Sequence, residues 1–220
     1  MIKNKMAQIV FQTAFCAIRI IGIIASLGIF DYTFRSDFYV HFTNLSNYLC
    51  IVIMFAELTQ SIKKKEDSYV TVFPGLKFIG VLAILLTFIV FNFLLAPTRE
   101  AYLNFKVNSV IFHIILPIMY IVDWFLFYER RQLKWYLPLL SMLFPLVYVV
   151  FIYIRAWILN FDPEVPYIYP YFFLNLDTQG IAGVIKWVLI LLAGFVVTGY
   201  MFLELTICAK GRIRNHNEIM

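Results

Sequence analysis

HFTNLSNYLCIVIMFAEL, residues 41–58, joins a polar heptapeptide to an apolar run without any turn signal between them. With its flanks, the apolar stretch Val40–Ser61 has the roughly 20 residues that a bilayer core requires. A helix entering lipid sheds polar groups unless they face inward, because each unsatisfied one is costly there. At 100° per residue, Thr43, Asn47, Cys50, Met54 and Glu57 share one face, flanked by Ser46. The heptapeptide therefore reads as the outer end of an inward polar stripe. Thr43 and Glu57 lie about 21 Å apart along the axis at 1.5 Å per residue, too far to serve one small reaction centre.

The same reading extends to the whole chain. Of its 220 residues, 62% are hydrophobic and 14% charged, and the mean hydropathy is +0.83. A soluble domain carries about 25% charged residues, so this composition excludes that class. Six apolar stretches are each long enough to span: Ala7–Phe30, Val40–Ser61, Thr71–Ala96, Val107–Tyr128, Tyr136–Trp157 and Gly180–Cys208. The fold class expected is an all-α bundle of six transmembrane helices, forming one domain over residues 1–220. Met1–Lys5 and the apolar run after it lack a signal-peptide cleavage site, so an uncleaved first helix is expected.

The net charge of +5 follows the membrane pattern and implies no nucleic-acid partner. Lys3, Lys5, Lys63, Lys64, Lys65, Lys77, Arg130, Arg131, Lys134, Lys210, Arg212 and Arg214 fall on one side. The other side holds only Arg35, Arg99 and Lys106. The positive-inside rule then places both termini in the cytoplasm of a multi-pass cell-membrane protein. Cys16, Cys50 and Cys208 have no paired spacing and read as small core residues. The outer connection Leu159–Asp177 has three prolines and many aromatics and carries no Lys or Arg, so a structured cap over the outer mouth is expected.

Polar groups inside spans mark candidate sites. Gln8, Gln12, Arg19 and Ser26 fall within about 40° of one another on the first helix. Arg19, near mid-membrane, reads either as half of an ion pair or as a binder of a carboxylate or phosphate head. Glu57, Asp123 and Glu204 are expected to form an inner-half layer of buried acids, pairing with Lys77 or sharing a proton. In the fourth helix, Pro117 cannot donate to the carbonyl of His113, so a kink and a free carbonyl are expected beside the imidazole. His113 is the one histidine well within a span and has no ligand partner at metal spacing, so neither a metal nor another cofactor is implied. Thr43 and His113 share a depth. A hydroxyl beside a neutral imidazole is the minimum for nucleophilic catalysis, with Asn44 or Asn47 able to donate to an oxyanion. The competing role for Thr43, Asn44 or Ser46 is to cap the second helix.

Four motifs in matching order strengthen the catalytic reading. They are HFTNLSN (41–47), HxxLPxxxxxDW from His113 to Trp124, FPLVY from Phe144 to Tyr148, and YPYFFLNLDTQG from Tyr169 to Gly180. Together they resemble the bacterial six-helix membrane proteins related to the androgen-induced and androgen-dependent integral membrane threonine hydrolases. The resemblance implies an intramembrane lipid ester hydrolase with a catalytic threonine at the start of the second helix and a histidine before Leu-Pro in the fourth. Carried onto this chain, the pair is Thr43 and His113, and the implied partners are membrane lipid and an ester-lipid substrate of the fatty-acid-ester type. The residues around the animal threonine lack the TNLSN pattern. Two other classes stay open at this level: a small proton- or solute-coupled transporter or channel drawing on the buried acids, and a non-catalytic scaffold. The sequence carries no signal for oligomeric state.

Overall fold

The computed structural model describes residues 4–27, 29, 32, 39–65, 70–98, 107–128, 133–159 and 168–217. Lys3, Arg35, Arg99, Lys106, Arg130, Arg131 and residues 160–167 of the outer connection lie outside them, as do the side chains of residues 208–217. Among the described residues the chain is helical, without strands. The helices are α1 (Lys5–Ser26), α2 (Phe42–Lys63), α3 (Pro74–Leu95), α4 (residues 107–127), α5 (Leu137–Leu159) and α6 (Leu176–Asn217). All but α4 are long and apolar enough, by length and composition, to cross a membrane.

Local chemistry sets the ends and the breaks. The Asn4 side chain caps α1 by accepting from the Ala7 amide at 3.1 Å. Pro74 opens α3, where its missing N–H has no helical partner to lose. The last turns of α3, Val90–Leu95, widen to π geometry. So does Ile111–Ile115 within α4, between an α-turn at Val107–Val110 and the α-helix Leu116–Phe127. This π stretch stands where Pro117 leads one to expect a kink, and it re-registers the backbone around the missing donor. The freed His113 carbonyl is not left open, because the Asn92 side chain donates to it at 3.3 Å. α5 is not one regular helix but is interrupted at Met142. Pro145 cannot donate to the Ser141 carbonyl, and a short Met142-to-Leu139 bond tightens the turn instead. α6 begins earlier than expected and breaks at Gly180, whose φ of 64° and ψ of 170° only glycine adopts readily.

α3 is the central element, packing on α2, α4, α5 and α6. Its Phe78, Val81, Ala83 and Ile84 are fully buried. α1 lies against α2 and α4. A second cluster closes the outer end, with Phe42 and Val40 meeting Tyr148 and Ile152 of α5 and Tyr171, Phe173 and Leu174. The expected cap is therefore visible in residues 168–175. Arg155 donates to the Ile168 carbonyl at 2.8 Å, Tyr153 donates to the Leu174 carbonyl at 2.9 Å, and Tyr171 stacks on Phe173.

Candidate functional site

α2 starts at Phe42 because His41, in extended conformation, accepts the first amides from Asn44 and Leu45. No side chain caps that end. Two tyrosines hold it: Tyr148 donates to the Val40 carbonyl at 2.9 Å, and the Phe42 amide donates to the Tyr171 hydroxyl at 3.0 Å. Thr43 thus sits inside the first turn, past the capping position. Its own carbonyl accepts from Ser46 Oγ at 3.0 Å and from Asn47 Nδ2 at 2.8 Å. Its hydroxyl faces α4.

There Thr43 Oγ1 lies 3.3 Å from His113 Nε2. The other ring nitrogen, Nδ1, lies 2.9 Å from the Ser109 carbonyl, one turn earlier. A carbonyl can only accept, so Nδ1 carries the proton and Nε2 presents its lone pair to Thr43. The imidazole also stacks on Phe91, centroids 3.5 Å apart and planes 14° from parallel. Ring position and tautomer are thereby both held, the arrangement a general base needs.

Thr43 forms part of the wall of an apolar cavity of about 70 Å³, with Phe42, Leu86, Phe91, Tyr148, Tyr171 and Phe173 among its other walls. Burial pushes the Tyr171 phenol up from its ordinary value, against hydrogen bonds with Thr43 and Phe42 that pull it down. It is a neutral hydroxyl at the edge of the site.

The asparagines do not play the part expected of them. Asn47 directs its amide N–H groups to the Thr43 carbonyl and, at 3.4 Å, to the Phe112 carbonyl. It ties α2 to α4 directly behind the Thr43–His113 pair and has no donor aimed at an oxyanion. Asn44 is half-buried and lines neither this cavity nor the larger one beside it.

The inner half holds a separate cluster. Lys77 Nζ lies 2.6 Å from Glu57 Oε2 and 2.5 Å from Asp123 Oδ2, all three side chains fully buried. Gln12 Nε2 donates to the same two carboxylates at 3.0 and 3.1 Å. The expected layer is thus half right. Glu57 and Asp123 join on Lys77, which is an interior residue and not a surface charge of the cytoplasmic side. Glu204 is exposed. The buried face of α6 runs through Phe195, Phe202 and Thr206, and Glu204, two residues from Phe202, points about 200° away.

Arg19 joins neither carboxylate. Its guanidinium lies over the Tyr48 and Phe112 rings at 4.9 and 4.8 Å, fully buried, and its three nitrogens make no hydrogen bond among the described residues. The ion pair expected for it is absent: Arg19 stands seven residues, about 10 Å at 1.5 Å per residue, along α1 from Gln12, which meets both acids.

Ser109, Phe91 and Tyr171 contact the Thr43–His113 pair, and spacing did not single them out. The i−4 position of Ser109 relative to His113 was the available signal for the first. Cys16 and Cys50 are buried thiols. Among the described residues no three His, Cys, Asp or Glu side chains converge as metal ligands. The chain matches no family model, and comparisons with curated proteins and with solved structures return no significant match.

Proposed function

We propose that the chain is an integral membrane hydrolase of lipid esters, with Thr43 as nucleophile and His113 as general base. One observation carries this reading: His113 presents Nε2 to the Thr43 hydroxyl while Nδ1–H is committed to the Ser109 carbonyl. The 3.3 Å separation is slightly looser than the roughly 2.6–3.2 Å of a tightened catalytic hydrogen bond, as is common without substrate. The motif likeness to the membrane threonine hydrolases points to the same two residues.

The chemistry would run as follows. The Thr43 proton passes to His113 Nε2 as Oγ1 bonds to the ester carbonyl carbon. The amides opening α2 are already used, Phe42 N–H on the Tyr171 hydroxyl and those of Asn44 and Leu45 on the His41 carbonyl, so the Tyr171 O–H is the donor nearest the resulting oxyanion. On collapse the carbon–alkoxy bond breaks, and the imidazolium returns its proton to the departing alcohol. Water, deprotonated by His113, then cleaves the Thr43 ester and frees the acid.

Six membrane spans fit this placement. The five long helices are joined by residues 107–127, which run continuously through α, π and α geometry. The lysine and arginine asymmetry supports cytoplasmic termini and puts the site in the outer leaflet. Transport would draw on the Lys77 cluster, where each carboxylate already meets Lys77 and Gln12, while Glu57 Oε1 and Gln12 Oε1 make no hydrogen bond among the described residues. The test is ester turnover by purified protein. Thr43→Ala and His113→Ala are expected to abolish it, with thermal unfolding unchanged. Full turnover by Thr43→Ala would contradict the reading.

A further inference from the structure

Next to the cavity at Thr43 lies a second space of about 240 Å³, between α3 and α6. The two are neighbours with Leu86, Val90, Leu191 and Phe195 as shared walls. From Val90 to Leu82 the second space covers about 12 Å of α3 at 1.5 Å per residue. Its linings offer almost nothing polar. The Thr198 hydroxyl on α6 is already turned back onto the Gly194 carbonyl at 2.7 Å. A polar ligand would find no partner there, whereas a hydrocarbon chain needs none.

Gly194 stands out within this space. A Cβ built there meets nothing within 4 Å, and its backbone is ordinary helix. The contrast with other glycines is sharp. A Cβ at Gly22 would come within 2.2 Å of the Phe112 ring, one at Gly80 within 2.9 Å of the Tyr120 hydroxyl, and one at Gly199 within 3.0 Å of Leu82 and Pro138. Those three are glycines because helices press on them. Neither packing nor backbone geometry requires Gly194, and helix propensity opposes it. Gly194 lies on the exposed side of α6, where its missing side chain leaves the lipid-facing groove between α3 and α6 clear. α6 is also the least enclosed helix: 11% of its apolar window is buried against 44% for α3, which leaves a side open toward lipid.

We propose that the substrate's acyl chain runs from Thr43 into the α3–α6 cavity, and that Gly194 sets the chain length accepted. The identity of the ester rests on the hydrolase reading; the hydrocarbon cavity does not. In a bilayer the chain gains little by leaving lipid, so selection acts through fit and exclusion rather than through hydrophobic transfer.

The experiment uses the full chain in lipid nanodiscs and an ester series from butyrate to palmitate, with Gly194→Leu and Gly194→Phe beside the wild type. Each variant is checked for unchanged thermal unfolding. The expected result is a fall in kcat/KM for palmitate of about tenfold or more, with butyrate turned over as before. A palmitate analogue carrying a mid-chain diazirine should photolabel the Leu82–Val90 or Ile190–Thr198 segments of the wild type and of Thr43→Ala, and not of Gly194→Phe. Equal loss on butyrate and palmitate, or labelling unaffected by Gly194→Phe, overturns the inference. If the wild type hydrolyses no ester, the hydrolase reading fails and the labelling alone decides whether the cavity holds a chain. Should a variant fail to fold, labelling of those segments in Thr43→Ala still supports the inference, and labelling elsewhere refutes it.

Discussion

The inner and outer halves of the bundle handle buried polarity in opposite ways. In the inner half, Lys77, Glu57, Asp123 and Gln12 consume one another, and no residue of that cluster lines either cavity. In the outer half, Thr43 and His113 are only half-buried and meet at 3.3 Å, and of the two Thr43 lines the apolar cavity. Charges taken out of water are stable when paired and hydrogen-bonded, so the first arrangement suits an anchor between α1, α2, α3 and α4. A hydroxyl in contact with an imidazole nitrogen, at the wall of a cavity, suits reaction. The Lys77, Glu57 and Asp123 charges are fully buried and line neither cavity.

The comparison can be broken by substitution. Thr43→Ala and His113→Ala should have the largest effect, each lowering ester turnover by on the order of 10³-fold or more while leaving thermal unfolding in place. Lys77→Met should do the reverse. It leaves two carboxylates buried without their cation and should destabilise the bundle by about 3–5 kcal/mol, read as a loss of folded protein in detergent. Adding Glu57→Gln and Asp123→Asn to it should recover part of that loss, because the uncompensated charges are then gone. Gly22→Val tests whether the halves are mechanically joined. Its Cβ would strike the ring of Phe112, the residue before His113, so a cost of about 1–3 kcal/mol should come with reduced turnover. The smallest effect belongs to Ser109→Ala, since the Ser109 carbonyl holds Nδ1 and its hydroxyl stands off at 3.4 Å. Turnover should stay near wild type, whereas a large loss would assign the orienting role to the hydroxyl.

The same contrast explains what the sequence made legible. Apolar runs located the six helices, five of them to within a few residues at both ends, since length and composition alone carry that signal; the sixth runs to Asn217, nine residues past its expected end. The inward face of α2 was legible because its polar residues recur at helical spacing, and burial of Asn47, Cys50, Met54 and Glu57 follows that stripe. α6 gave no such stripe. It is apolar nearly all round, so the orientation of Glu204 had no periodicity to fix it. Spacing also says which way a side chain points, not which hydrogen bond it makes. Asn47 was correctly placed near Thr43, but its donors go to two carbonyls. Pro117 correctly flagged a backbone irregularity at His113. Whether it becomes a kink or a π stretch depends on tertiary partners such as Asn92, more than twenty residues upstream.

Activation of Thr43 by His113 can be read by covalent labelling. Purified protein would be treated with a fluorophosphonate, and the adduct located by peptide mass spectrometry. One adduct is expected, on Thr43, absent in Thr43→Ala and formed far more slowly in His113→Ala. Labelling of another residue, or of Thr43 at the same rate without His113, would rule out this activation.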